Sequence, residues 1–302
     1  MNRYQIQPVS SQQISSNIVL EDVGEAPNII LSVSPCRSAS SVLVRVFGAA
    51  GVLSYYQQLK SMLRWKMQGE DVCWKVPSLP HTNIFLKETL GPYTETEALF
   101  NPMNILLDAG YPPEKLRILI LGRHPLNTWA SWDKWWNGAT SIDNFIKANI
   151  TTEKVREQAE REGISVTTVV YEALKYYDAD TVVKRMFSRF GIPYSPIAVD
   201  GWQTLPEFGT PGSHIHYREI PPIFNVPGIL DSVRSADKLI YSSIDNDVTD
   251  FDENTVLQIQ EAGLTEIYEK WKRECETHLC INVGDLEKDA NTKYRKYRAN
   301  GE

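Results

Sequence analysis

Two short segments carry the residue types of an anion site. Ser34-Pro35-Cys36-Arg37-Ser38-Ala39-Ser40-Ser41 is built of small residues, with a guanidinium at Arg37 and hydroxyls at Ser38, Ser40 and Ser41. Small side chains let backbone amides close around an anion, and a helix starting there adds the positive end of its dipole. The same serines are equally suited to capping that helix, since serine is a preferred residue at the first position. The second segment is Arg123-His124-Pro125-Leu126-Asn127-Thr128-Trp129-Ala130-Ser131. Arg123 offers a bidentate fork to an oxyanion, and Ser131 lies two turns into the helix that Pro125 would begin.

Spacing argues against several other chemistries. The usual loop of nucleoside triphosphatases needs G-x-x-x-x-G-K-[ST], and no glycine lies between Ala26 and Gly48. A cysteine phosphatase built on Cys36 would need an arginine where Val42 stands. Cys275-Glu276-Thr277-His278-Leu279-Cys280 presents three soft ligands at most, at spacings that match no zinc template. It reads as the end of an amphipathic helix that begins near Thr255. Trp129, Trp132 and Trp136, with Trp135, could line an acceptor or adenine pocket, although such a stripe is more often core packing.

The elements that must position these residues follow from hydrophobic pattern. Asn28-Ile29-Ile30-Leu31-Ser32-Val33 is a short apolar run suited to a buried parallel strand. After the small-residue loop, Val42, Leu43, Val46, Phe47 and Ala50 recur at helical spacing. Further strands are expected at 72–76, 84–88 and 116–122, the last running directly into Arg123. Helices are expected at 101–110, 141–162, 165–177, 179–190 and 255–278. Alternating strands and helices indicate an α/β fold: a P-loop-like central parallel sheet flanked by helices, in one domain. Residues 1–27 form a polar lead-in segment and 28–302 the domain. Within it, 141–177 is read as a helical insertion over the acceptor site, its run of Glu153, Lys154, Arg156, Glu157, Glu160 and Arg161 a solvated face. The Pro-, Gly- and Asp-rich stretch 191–254 is read as a loop-rich cover. Ligands of such sheets bind beyond the carboxyl ends of the strands, where both anion segments lie.

Composition limits the partners. The chain has 302 residues, 42% hydrophobic and 23% charged, as ordinary globular proteins do. With 31 Lys and Arg against 38 Asp and Glu, its net charge of −7 argues against a broad nucleic-acid grip. A local basic pocket for a small anion remains compatible with that balance. No apolar run approaches the roughly 18 residues needed to span a membrane, and the polar N-terminus lacks the apolar stretch of a signal peptide. Four scattered cysteines point to a reducing compartment, so a cytoplasmic location is expected. Association into a homo-oligomer is left open.

Taken together, the two anion segments resemble those of the sulfotransferases that use 3′-phosphoadenosine 5′-phosphosulfate (PAPS) as donor, in particular bacterial-type small-molecule enzymes. In that family the 5′-phosphosulfate loop, approximately P-[KR]-S-G-[ST]-[ST], follows the first strand, and Cys36-Arg37-Ser38-Ala39-Ser40-Ser41 is similar to it. The family's 3′-phosphate motif, R-D-P-x-[DN]-x-x-x-S, is matched in register by Arg123, Pro125, Asn127 and Ser131. Pro112-Pro113-Glu114-Lys115 before the 116–122 strand and Gly191-Ile192-Pro193 after a helix also look like family features. The resemblance covers roughly 28–195. Three residues depart from the pattern: Cys36 replaces proline, Ala39 replaces glycine and His124 replaces aspartate. Ala39 matters if its backbone needs a positive φ, which only glycine adopts freely.

The resemblance implies sulfuryl transfer from PAPS to a hydroxyl or amine of a small-molecule metabolite or natural product, with no metal required. It implies that Arg37, Ser38, Ala39, Ser40 and Ser41 hold the phosphosulfate and that Arg123 and Ser131 hold the 3′-phosphate. Arg37 would then also stabilise the leaving group. Arg218, in the glycine-containing stretch 209–218, is the nearest counterpart of the family's C-terminal phosphate loop. The family's base is a histidine or a glutamate near the end of a strand, and here the strand ends in Lys87-Glu88-Thr89. Glu88 is therefore the first candidate base and Lys87 a cation beside the sulfonate. His81, His214 and His216 are rivals. Two other readings compete: a kinase-like phosphotransferase, and a non-catalytic member that binds a nucleotide or a partner.

Overall fold

The computed structural model describes residues 9–24, 26–78, 82–239 and 251–284. Six strands pair in one parallel sheet: β1 (Asn28–Pro35), β2 (Leu53–Tyr56), β3 (Asn83–Leu90), β4 (Leu116–Gly122), β5 (Ser165–Val170) and β6 (Ile215–Tyr217). Their spatial order is β5-β4-β1-β3-β2-β6. β1 is central and covered on both faces, which is why Ile29, Ile30, Leu31 and Val33 form an almost unbroken apolar run. The chain leaves β1 toward β2 on one side and leaves β4 toward β5 on the other. The loops after β1 and β4 therefore diverge, opening the crevice where such sheets hold ligands.

Beside short helical turns of four or five residues, the helices among the described residues are α1 (Ser40–Ala49), α2 (Gln58–Met67), α3 (Pro102–Asp108), α4 (Pro125–Trp136), α5 (Ile142–Arg161), α6 (Tyr171–Tyr176), α7 (Ala179–Phe190), α8 (Glu253–Glu261) and α9 (Leu264–Leu279). α1 seals one face by stacking Phe47 on Phe85 of β3, with ring centroids 4.0 Å apart. α5 lies against β1, and α9 against β5. Pro125 opens α4, where its missing N–H costs no hydrogen bond. In the lead-in segment Ile18–Val19 pairs in parallel with Trp74–Lys75, and Ile14 is buried. No helix among the described residues is long and apolar enough to cross a membrane.

The fold is α/β with a central parallel sheet flanked by helices in a single compact domain, and it corrects several local expectations. Residues 141–177 do not insert over the site. They form α5, the sheet strand β5 and α6, and only Tyr171 among them reaches the crevice. The 165–170 half of the expected 165–177 helix is a strand because Val166, Thr167, Thr168, Val169 and Val170 are all β-branched. The charged run of α5 is not all solvated, since Arg156 is 2% exposed and Glu153 8%. The expected helix at 255–278 is two helices, broken at Gly263 with φ of +71°. The hydrophobic pattern does not predict β2 or β6. Both are short, and β6 lies at the edge of the sheet.

Candidate functional site: a basic cavity at the carboxyl end of the sheet

The loop after β1 is held from several sides. The Cys36 amide donates to the Leu90 carbonyl at 3.1 Å, and the Cys36 carbonyl accepts from Trp132 Nε1 at 2.6 Å. Cys36 Sγ meets Thr89 Oγ1 at 3.3 Å. Within this frame Arg37 and Ala39 both take positive φ, +71° and +63°. Neither is glycine, so each position stores strain of about 1–2 kcal/mol. Alternation of backbone hand turns successive N–H groups toward one side, the arrangement that cradles anions. The N-cap of α1 is Ala39, and no side chain caps it. The serines therefore do not serve as the cap. Ser38 is 1% exposed, and its hydroxyl is buried with no partner.

The second segment meets the first at this point. Arg37 Nε donates to Ser131 Oγ at 2.9 Å, across 94 positions of sequence. Arg123 Nη1 donates to the Arg37 carbonyl at 3.0 Å, while its buried Nε has no partner. The Arg37 guanidinium lies 5.1 Å from the Trp135 ring and that of Arg123 lies 4.5 Å from the Tyr171 ring. Burial lowers the Arg37 pKa, and the neighbouring charge of Arg123 lowers it further. Among the described residues neither guanidinium has a carboxylate partner within ion-pair distance. Two like charges held without counter-ions, beside an orphaned hydroxyl and an uncapped helix start, form a site that a phosphate-like dianion would complete.

The cavity around them measures about 640 Å³. Among the described residues Arg37, Arg64, Lys87, Arg123, Lys134 and Arg234 line it, against one carboxylate, Asp231. Arg64 is neutralised from behind by Glu97, at 2.8 Å. Arg37, Lys87, Arg123 and Arg234 give a chain of net charge −7 a local positive pocket. Its far wall is aromatic. Trp136 donates from Nε1 to the Tyr93 hydroxyl at 3.1 Å, and Tyr93 packs on Phe224 with centroids 5.6 Å apart.

The tryptophans divide by position. Trp135 and Trp136 line the cavity, Trp132 is buried and anchors the loop, and Trp129 packs on Phe145 at 5.5 Å.

The other residues singled out by sequence are distributed unevenly. Ala39, Ser40, Ser41 and Lys87 line the cavity with Arg37, Arg123 and Ser131, whereas Ser38 is buried in the loop. Glu88 does not line it, because adjacent strand residues face opposite ways. Its carboxylate accepts from the Leu59 and Lys60 amides, at 2.8 and 3.0 Å, and so closes the start of α2. Burial raises its pKa to about 7, against the pull of those amides. Arg218 is also away from the cavity, donating to the Cys73 carbonyl at 3.3 Å.

The cation that the 191–254 stretch does bring in is Arg234, on the 226–236 segment. Arg45 of α1 pins that segment by donating to the Val233 and Arg234 carbonyls, at 3.2 and 2.8 Å. Sequence reading missed Arg234, although a basic residue between serines shortly after Gly228 was a usable signal. His214 and His216 lie outside the cavity, His216 stacking on Tyr55 with centroids 4.8 Å apart. His81 lies outside the described residues. Among the described residues no group of three or more His, Cys, Asp or Glu side chains is placed to hold a metal ion. Compared with protein-family models and with curated proteins, the chain matches none.

Proposed function

We propose that this protein transfers the sulfuryl group of PAPS to a hydroxyl or amine of a small-molecule acceptor, on a P-loop-like core and in the cytoplasm. One observation carries the reading. Arg37 and Arg123 leave neighbouring strands and meet, Arg37 donating to Ser131 Oγ and Arg123 to the Arg37 carbonyl, with no carboxylate beside them among the described residues and with an uncapped helix start adjoining. A nucleotide with anionic groups at both its 3′ and 5′ positions suits such a double site better than one with a single phosphate chain.

The orphaned Ser38 hydroxyl and Arg123 Nε give the fit independent support. Arg123 and Ser131 would hold the 3′-phosphate. Arg37 and the amides of the 38–41 loop would hold the 5′-phosphosulfate, with Arg234 as a further cation from the cover. When bound, PAPS supplies an activated sulfuryl group with a phosphate leaving group. The chain's own residues orient both reactants, neutralise the oxygens that gain charge and exclude water behind the aromatic wall. Preorganised charge at the leaving oxygen is the largest contribution expected from Arg37.

Calorimetry tests this reading. Adenosine 3′,5′-bisphosphate should bind without Mg²⁺, and ATP should bind more weakly with or without it. Preference for Mg²⁺-ATP would favour a phosphotransferase instead. Tight bisphosphate binding without PAPS turnover over a panel of phenols, alcohols and amines would point to a non-catalytic binder.

A further inference from the structure

Lys87 lies on β3 near its carboxyl end and lines the cavity, yet it is only 2% exposed. Its Nζ stands 4.2 Å from the centre of the Tyr56 ring. Among the described residues no hydrogen bond or ion pair engages it. A buried ammonium is ordinarily surrounded by acceptors, because an unpaired charge is costly to keep out of water. Here the surroundings do the opposite.

On α2, Lys60 and Arg64 face Lys87 with their own positive charges, both tied to Glu97 at 3.7 and 2.8 Å. Glu88, next along β3, points to the other face and is engaged by backbone amides. From the loop after β1 come the Cys36 thiol and the Arg37 guanidinium, and from the cover the exposed Asp231. Burial lowers the Lys87 pKa to about 7, with Lys60 adding to the effect and Cys36 and Glu88 acting against it.

A hydroxyl acceptor must lose its proton as it attacks sulfur. The cavity wall contains no histidine or glutamate among the described residues. The Tyr56 hydroxyl is no alternative, since burial raises its pKa to about 12. We propose that the Lys87 amine is the general base of the transfer, a role that rests on the transferase reading above. In the step, the acceptor oxygen forms a bond to sulfur while the bond from sulfur to the nucleotide phosphate oxygen breaks. The electron pair leaves with the phosphate, and the acceptor's proton passes to Lys87 Nζ. The resulting ammonium then lies beside the sulfonate. Desolvated lysines serve as bases in this way when their basicity approaches the working pH.

Two measurements on the full chain test the proposal. The first needs no turnover: competitive acetylation with acetic anhydride across pH 5 to 10, read by peptide mass spectrometry. Lys87 should label with a midpoint near neutrality, well below the ordinary lysine value of 10.5, and adenosine 3′,5′-bisphosphate should protect it. A midpoint equal to that of the exposed lysines overturns the proposal. The second is single-turnover transfer from PAPS to 2-naphthol, a phenol that stays protonated at neutral pH. Its rate should rise with pH through the labelling midpoint and then level off. Lys87→Gln and Lys87→Arg should both lose roughly 100-fold to 10,000-fold, with bisphosphate affinity within a few-fold of wild type.

If Lys87→Arg keeps most of the rate, or the wild-type rate falls as pH rises, Lys87 acts as a cation and the base assignment fails. Absence of bisphosphate binding by the wild type sinks the transferase reading itself, and calorimetry shows that separately.

Discussion

Arg156 and Arg37 are both drawn into the protein, and their surroundings have opposite sign. Arg156, on α5, donates to Glu153 through Nε and Nη2, at 2.8 and 2.9 Å, and also pairs with Glu160 and Glu274. Glu153 in turn accepts from Lys270 and from Trp271 Nε1, both at 2.7 Å. Burial acts to lower the Arg156 pKa, and the Glu153 carboxylate outweighs it, so the group is held above its ordinary value. Arg37 is pushed the other way, by burial and by Arg123. In the α5–α9 seam Glu153, Arg156, Lys270 and Glu274 are partnered within the protein and serve the fold. In the crevice Arg37 and Arg123 have no such carboxylate among the described residues, which marks a place where a ligand provides one.

The sharpest way to break this contrast is to remove one arginine from each region. Arg156→Met leaves a buried carboxylate short of its main partner and should cost about 3–5 kcal/mol of stability. Urea unfolding measures this, and bisphosphate affinity in the folded fraction should be unaffected. A loss within error of zero would mean that the seam is not structural. Arg37→Ala should leave the unfolding midpoint nearly unchanged but reduce kcat with PAPS by roughly 100-fold or more, because charge grows at the leaving oxygen in the transition state. Equal losses in binding and turnover would mark Arg37 as an anchor for the ground state only.

Arg123→Ala should weaken bisphosphate binding by about 1.5–3 kcal/mol, the scale of a charge-assisted hydrogen bond. The melting temperature should stay level or rise, since one of two repelling charges is gone. A clear fall in melting temperature would place Arg123 with the structural arginines. The last effect concerns Glu88. Its pKa is raised from the ordinary 4.5 to about 7, so the folded protein holds that proton more tightly than the unfolded chain does. Glu88 therefore makes wild-type stability fall as pH rises from about 4.5 to about 7. Lys87 titrates above this window, between about 7 and its ordinary 10.5, whereas buried His124, lowered from 6.5 to about 4, contributes with the opposite sign within it. Urea midpoints at several pH values across that lower window should show a more positive slope with pH for Glu88→Gln than for wild type. An unchanged slope would mean that the Glu88 carboxyl titrates normally.

Glu88 also shows where sequence reading stops. That Lys87 and Glu88 face opposite ways follows from strand geometry alone. Which face looks into the cavity does not, because it depends on α2 packing its first amides over Glu88. The same limit applies to Arg218 and Arg234: both are basic residues in a loop-rich stretch, and only the tether through Arg45 selects the second. β5 was hidden for a different reason. Its run of β-branched residues leads directly into α6, and the single helix expected over 165–177 spans both.

The sequence alone determined the features that depend on a few neighbouring residues. The apolar runs of β1 and β4, the small-residue loop beginning at Cys36, and the proline that starts α4 before Ser131 are all local, and local sterics and hydrogen bonding suffice to specify them. The tertiary structure decided what depends on distant neighbours: that Arg37 reaches Ser131, that Arg156 is compensated and Arg37 is not, and that Lys87 rather than Glu88 reaches the cavity. Charge state and accessibility are set by the atoms that surround a group, and here those atoms come from segments tens to about two hundred residues away along the chain.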